Sequence, residues 1–150
     1  MKKIFLFLIT TITFYSCVVE EDNQPTCSHY LDYYTVGKGY VTPDNLIEGN
    51  YILTTPTQWE TFLAELDPNA MSFINNTNID FENKQLLVIV GQEAQHTGCE
   101  VSISSIVRYY NNIKVWYSNY CGTIGYTQNI RPFHIVAIDK LTLPIEFYSN

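Results

Sequence analysis

The side chains best suited to chemistry in this 150-residue chain are four cysteines, at 17, 27, 99 and 121, and three histidines, at 29, 96 and 134. A cysteine can serve as nucleophile, metal ligand, half of a disulfide or carrier of a lipid. Cys27-Ser28-His29 and His96-Thr97-Gly98-Cys99 would together supply two Cys and two His, the donor set of a zinc site. Neither spacing matches a common finger, and each pair arises readily by chance. His134 could act as a general base only beside a Ser or Cys nucleophile, and the chain has no Gly-x-Ser-x-Gly elbow and no His-Glu-x-x-His motif. Following Phe133 at the start of a strand, it fits a structural histidine with its ring nitrogens bonded to backbone. No spacing of carboxylates defines a catalytic pair. These residues point to a non-catalytic protein with neither metal nor cofactor.

Cys17 differs from the other three in what precedes it. Met1-Lys2-Lys3 is a short basic start, Ile4 to Phe14 is apolar and uncharged, and Phe14-Tyr15-Ser16-Cys17 sets a small residue directly before a cysteine. The first two features make a secretory leader. The run is too short for a membrane span, which needs about 20 apolar residues. The junction resembles a bacterial lipobox, with Phe14 where Leu is usual. That resemblance implies removal of residues 1–16 and lipidation of Cys17 as the first mature residue; the alternative is an ordinary leader beside an incidental cysteine. Several acyl chains, at about 0.8 kcal/mol per buried methylene, anchor a protein essentially permanently. The expected address is a bacterial outer membrane, with the folded domain in water. Residues 17–26 read as an acidic tether. Its Glu20-Glu21-Asp22 cluster resembles a tag that exports lipoproteins to the cell surface in one group of Gram-negative bacteria; a plain solvated linker is the alternative.

The chain carries 15 acidic and 8 basic residues, a net charge of -7. Loss of residues 1–16 removes Lys2 and Lys3 and no acid, leaving 6 basic residues and a charge of -9. Such a surface cannot neutralise a run of phosphates, which argues against nucleic acid as a partner. Anionic headgroups would repel the domain, so its lipid alone would hold it near a membrane. With 46% hydrophobic and 15% charged residues the chain can bury one core, and its length leaves little room for a second. A single domain is expected at 27–150.

The elements that must position these side chains follow from periodicity. Turn residues crowd the stretch from Cys27 to Tyr51, including Gly37-Lys38-Gly39, which predicts irregular structure with one or two edge strands. Tyr51 to Thr55 is a β-rich run closed by Pro56. Thr57-Gln58-Trp59-Glu60 has capping-box form, and Trp59, Phe62, Leu63 and Leu66 fall at i, i+3, i+4 and i+7. This predicts a helix of roughly ten residues, ending near Asp67-Pro68 and packed on a sheet because it is too short to stand alone. Residues 71–78 read as a polar loop, and Asp80 as a turn or strand-entry cap. Leu86-Leu87-Val88-Ile89-Val90 is apolar at every position, the pattern of a central strand buried on both faces. Residues 92–98 read as a loop.

Cys99, Val101 and Ile103 alternate with polar residues, as do Ile113, Val115 and Tyr117, and Tyr109-Tyr110-Asn111-Asn112 lies between: a β-hairpin. Setting 107 opposite 113 places 103 opposite 117 and 99 opposite 121. After a loop at 122–129, Phe133 to Ile138 is a strand, and Leu141 to Tyr148 an edge strand marked by Pro144. The fold class is α+β, mainly β: an antiparallel sheet or sandwich with one packed amphipathic helix. The hairpin register favours a Cys99–Cys121 disulfide in an exported chain, with reduced buried thiols as the alternative. Cys27 is unpaired either way.

Several stretches resemble, in order and spacing over residues 51–148, the C-terminal domain of the protease complex subunit PrcB family. They are Tyr51-Ile52-Leu53-Thr54 followed by Trp59, Ile79-Asp80-Phe81 before Leu87-Val88-Ile89-Val90, Thr97-Gly98 with Val101-Ser102-Ile103, and Arg131-Pro132-Phe133-His134-Ile135-Val136 with Pro144-Ile145-Glu146-Phe147. Cys99 stands where the family often has a second Gly. The resemblance implies a small lipoprotein domain without catalysis whose namesake assembles with a surface protease, so an envelope protease is the expected partner. Docking a protein predicts an exposed aromatic patch, with Tyr109, Tyr110, Trp116, Tyr120 and Tyr126 as candidates; ordinary solvent-facing strand residues are the alternative. Two other functions fit. Gly122-Thr123-Ile124-Gly125 and Arg131-Pro132-Phe133 loosely resemble loops of chagasin-type cysteine-protease inhibitors, which implies a wedge built from loops 122–125 and 131–133. The aromatic side chains could instead bind glycans.

Overall fold

A computed structural model describes residues 18–19, 25–26, 28–123 and 125–150. The leader at 1–16, Cys17, the acidic cluster at 20–22 and Cys27 lie outside the described residues. Within the stretch read as a tether, β1 (Val18–Val19) pairs antiparallel with β2 (Pro25–Thr26). The domain then runs β3 (His29–Tyr30), β4 (Tyr34–Val41), β5 (Gly49–Leu53), α1 (Pro56–Ala64), α2 (Pro68–Met71), β6 (Lys84–Val90), β7 (Ala94–His96), β8 (Cys99–Arg108), β9 (Ile113–Cys121), β10 (Thr127–Asp139) and β11 (Ile145–Ser149). One antiparallel sheet has the order β4-β10-β6-β5, with β7 also paired to β10; the other has the order β11-β9-β8-β3. The protein is α+β and mainly β, with two packed sheets and two short helices.

Alternate residues of β6 serve two cores. Leu86, Val88 and Val90 join Phe133, Ile135 and Ala137 of β10 beneath Trp59, Phe62 and Leu66. Leu87 and Ile89 join Val136 and Ile138 against Val101, Ile103, Ile106, Ile113 and Val115 of the second sheet. The layers are therefore helix, sheet, sheet, and a strand covered on both sides has no polar face to alternate with. Each such side chain contributes about 1.5–3 kcal/mol by its burial.

The helix is capped two residues earlier than the sequence pattern predicts. The Thr55 hydroxyl, not that of Thr57, accepts from the Gln58 amide at 3.3 Å, and Gln58 Oε1 accepts from the Thr54 N–H at 2.8 Å. Pro56 thus opens the helix, where its missing N–H costs nothing, rather than only closing the strand. Asp67 ends no helix but caps α2, accepting from the Ala70 N–H at 2.9 Å. Asp80 accepts from the Glu82 N–H and the Asn83 side chain in the turn before β6.

Gly37 and Gly39, read as turn residues, lie inside the edge strand β4. A Cβ on Gly39 would sit 2.3 Å from Cγ of Phe73, and one on Gly37 2.7 Å from Cδ1 of Ile74. The glycines admit these two half-buried side chains of the supposed polar loop against the strand. β7 falls within the expected loop at 92–98, and β10 begins at Thr127, inside the expected loop at 122–129.

The hairpin pairs Cys99 with Cys121 and Ile103 with Tyr117, as the alternation predicts. Past Ile103 the register shifts by one, so Val107 faces Lys114 and Arg108 faces Ile113. This bulge lets Ile103 and Ile106 both point inward. β11 is an edge strand, but it runs parallel to β9.

Candidate aromatic docking face

In β9, Ile113 and Val115 point to the first sheet, which puts Lys114, Trp116, Ser118 and Tyr120 on the outer face. β11 lies beside it with Glu146 opposite Lys114 and Tyr148 opposite Trp116. Its Ile145 and Phe147 pack inward, so Glu146 and Tyr148 join the outer face. The rings of Trp116 and Tyr148 stack there with centroids 5.8 Å apart. Lys114 Nζ stands 5.1 Å from the Tyr109 centroid and 5.4 Å from that of Tyr148, within cation–π range. On the other side, Val107 pairs with both Lys114 and the exposed Tyr30, which extends the row.

Glu146 fastens this shelf. Its carboxylate accepts from the Tyr148 hydroxyl at 2.5 Å and from Asn112 Nδ2 at 2.9 Å. Those bonds, Tyr148's first, together with the Lys114 charge hold the carboxyl below its ordinary range. The same bond to Glu146 holds the Tyr148 phenol above its ordinary value. The result is an aromatic surface tied together by hydrogen bonds and one cation, suited to packing against a flat partner.

Of the five aromatic candidates, Tyr109 lies against Lys114, Trp116 joins the group through its stack with Tyr148, and Tyr110 is exposed at the adjoining turn. Tyr120 lies on the same face of β9 toward the far end of the hairpin. Tyr126, the most exposed at 85%, sits beyond it, its N–H bonded to Thr97 Oγ1. Sequence reasoning missed Lys114, Glu146 and Tyr148. The alternation of Glu146 and Tyr148 with Ile145 and Phe147 was the available signal, but nothing local says that β11 pairs with β9.

Cys99 and Cys121 have their sulfur atoms at disulfide distance, 2.13 Å. Cys99 therefore has no thiolate to share with a metal, although His96 Nε2 lies 3.7 Å from its sulfur. His29 pairs with Arg108 at the opposite end of β8. Among the described residues no group of three or more His, Cys, Asp or Glu converges on a point that could hold a metal, and no helix is long and apolar enough to cross a membrane.

His134 is buried between the sheets. Its Nδ1 accepts from the Ile103 N–H at 2.9 Å, which leaves the ring proton on Nε2, facing Thr35 Oγ1 at 3.1 Å. Burial first, and the Lys38 charge second, hold the imidazole down to about 4. It is a neutral strut with both nitrogens engaged. The proposed inhibitory loop at 131–133 is corrected by the fold: these residues belong to β10, Pro132 and Phe133 are buried, and an Arg131 guanidinium nitrogen donates to the Leu46 carbonyl. Buried side chains cannot wedge into a cleft. In the companion loop 122–125, Ile124 lies outside the described residues. No model of a known protein family, no curated protein and no solved structure matches the chain.

Proposed function

We propose that the mature chain is a lipid-anchored, non-catalytic module of a bacterial outer membrane that docks a protein partner through the outer face of its second sheet, as an accessory subunit of an envelope protease. The observation that carries this is the shelf of Tyr109, Lys114, Trp116 and Tyr148. Aromatic rings held in place before binding lose little entropy on contact, and such residues dominate interface centres. The leader-like residues 1–16 ahead of Cys17 support the address. The resemblance of stretches over 51–148 to the PrcB family supports a protease as the partner.

One experiment compares the wild-type chain with Trp116→Ala and Cys17→Ser in the native envelope, after cross-linking, membrane fractionation and labelling with a palmitate analogue. Wild type and Trp116→Ala should carry label and sediment with membranes, while Cys17→Ser should do neither. An envelope protease should copurify with wild type and fall at least about tenfold with Trp116→Ala. Equal recovery from both chains, or no protease with wild type, rejects docking at this face; label on Cys17→Ser rejects the anchor.

A further inference from the structure

A cavity of about 600 Å³ opens between the two sheets, on the inner side of β9 and β11, opposite the side that carries the Trp116–Tyr148 stack. Its polar lining comes from Glu48, Asn50, Gln92, Tyr117, Asn119 and Ser149. The fold dictates this gathering. Asn50 pairs with Ile89, which faces the second sheet, so its side chain takes the same side. Tyr117 and Asn119 continue the inward phase of Ile113 and Val115 beyond the point where the apolar core stops, and Ser149 pairs with Tyr117. Gly91 forms part of the wall; a Cβ there would come within 3.0 Å of Pro132 and 3.4 Å of Asn119 Oδ1. Glycine keeps the Asn119 amide where it is. A second hollow of about 150 Å³ shares Gln92 and Asn119 and extends the trough past Tyr120 to the disulfide.

The chemistry of this lining selects a ligand class. Each side-chain amide both donates and accepts hydrogen bonds, as does each hydroxyl, which matches a ligand whose own groups are hydroxyls that do both. No Lys, Arg or His lines either hollow, so a phosphate or carboxylate would find no countercharge and would face Glu48 in the larger hollow and Glu93 and Glu100 in the smaller. An apolar ligand would strip water from the amides and leave them unpaired. Ile47, Val90 and the ring of Tyr117 give the same trough an apolar share, against which the C–H faces of a sugar ring can lie while its hydroxyls meet the amides. We infer that this trough binds a neutral saccharide of about two rings, with Gln92 and Asn119 at the boundary of its two hollows holding the ligand's hydroxyls. The volume lies within the range of small-ligand sites, about 300–1,000 Å³.

The test is a titration of the full chain in detergent, followed by ligand-observed NMR, with maltose, cellobiose and N,N′-diacetylchitobiose as probes and glucuronic acid as the charged control. At least one neutral disaccharide should saturate below about 10 mM, a weak but specific affinity. Gln92→Ala and Asn119→Ala should each weaken it at least about tenfold, because the ligand's hydroxyls then lose their partner in a partly desolvated site. Trp116→Ala should leave it unchanged, which separates this site from the docking face. Both trough residues are exposed, so these variants keep the fold, and an unchanged thermal midpoint verifies it. Failure of all three sugars to saturate, binding that survives both trough variants, loss of binding on Trp116→Ala, or equal affinity for glucuronic acid would each overturn the inference.

Discussion

The Ile103 N–H lies at the register shift of the hairpin and donates to His134 Nδ1 in the other sheet, so a single imidazole joins the two layers. Burial holds that ring down to about 4, whereas an unfolded histidine titrates near 6.5. Between those values the unfolded chain binds the extra proton. The stability this group supplies is therefore complete above about pH 6.5 and is lost as pH falls toward 4, by about 3 kcal/mol in all. Urea unfolding at pH 7, 5.5 and 4 should show the decline. His134→Asn, whose side-chain oxygen can still accept from Ile103, should be less stable at pH 7 but lose less on acidification; an equal pH slope in both chains would assign the acid sensitivity to other groups. The structural role of His134 was legible from its place in a strand, but its partners were not. One is a backbone amide 31 residues away, and the other a hydroxyl 99 residues away rather than the second backbone group expected.

Among the elements, the hairpin shows how far alternation reaches. Two period-two runs placed Cys99 opposite Cys121, and the ladder keeps that pair because the register shift lies beyond it, past Ile103. Closing a loop with sequence separation 22 should contribute about 3 kcal/mol in the chain-entropy picture. The double variant Cys99→Ser, Cys121→Ser should lower the unfolding free energy by about that amount with unchanged circular dichroism; no loss of stability would mean that the bond adds nothing to the paired strands. β4 was less legible for a local reason. Gly37-Lys38-Gly39 has the composition of a turn, and its strand conformation depends on Phe73 and Ile74 arriving to fill the space the glycines leave. The cap at Thr55 was missed because two Thr-x-x-(Glu/Gln) frames overlap there, and Pro56 at the first helical position decides between them.

At the scale of the molecule, the three layers set a gradient of stability. β6 and β10 are central in their sheet and have apolar cover on both sides, whereas β3 and β11 are edges of the second sheet. Amides of β6 and β10 should exchange with deuterium only through global unfolding, and those of β3 and β11 through local opening at much lower free energy. Fast exchange in β6 would contradict its place at the junction of both cores. The same layering leaves the outer face of the second sheet without a described element over it, which is where the aromatic shelf forms.

Periodicity alone determined the mainly-β class, the doubly buried strand at Leu86–Val90, the apolar stripe of the helix and the facing cysteines. Each of these records only whether neighbouring residues of one segment are covered or exposed. Tertiary structure alone decided that β11 runs parallel to β9, that Tyr148 stacks on Trp116, that residues 131–133 are interior strand, and that amides from β5, from the segment after β6 and from β9 share one trough. Those outcomes depend on which distant segments meet and in what direction, a choice made by packing the whole core at once, and no local pattern carries it.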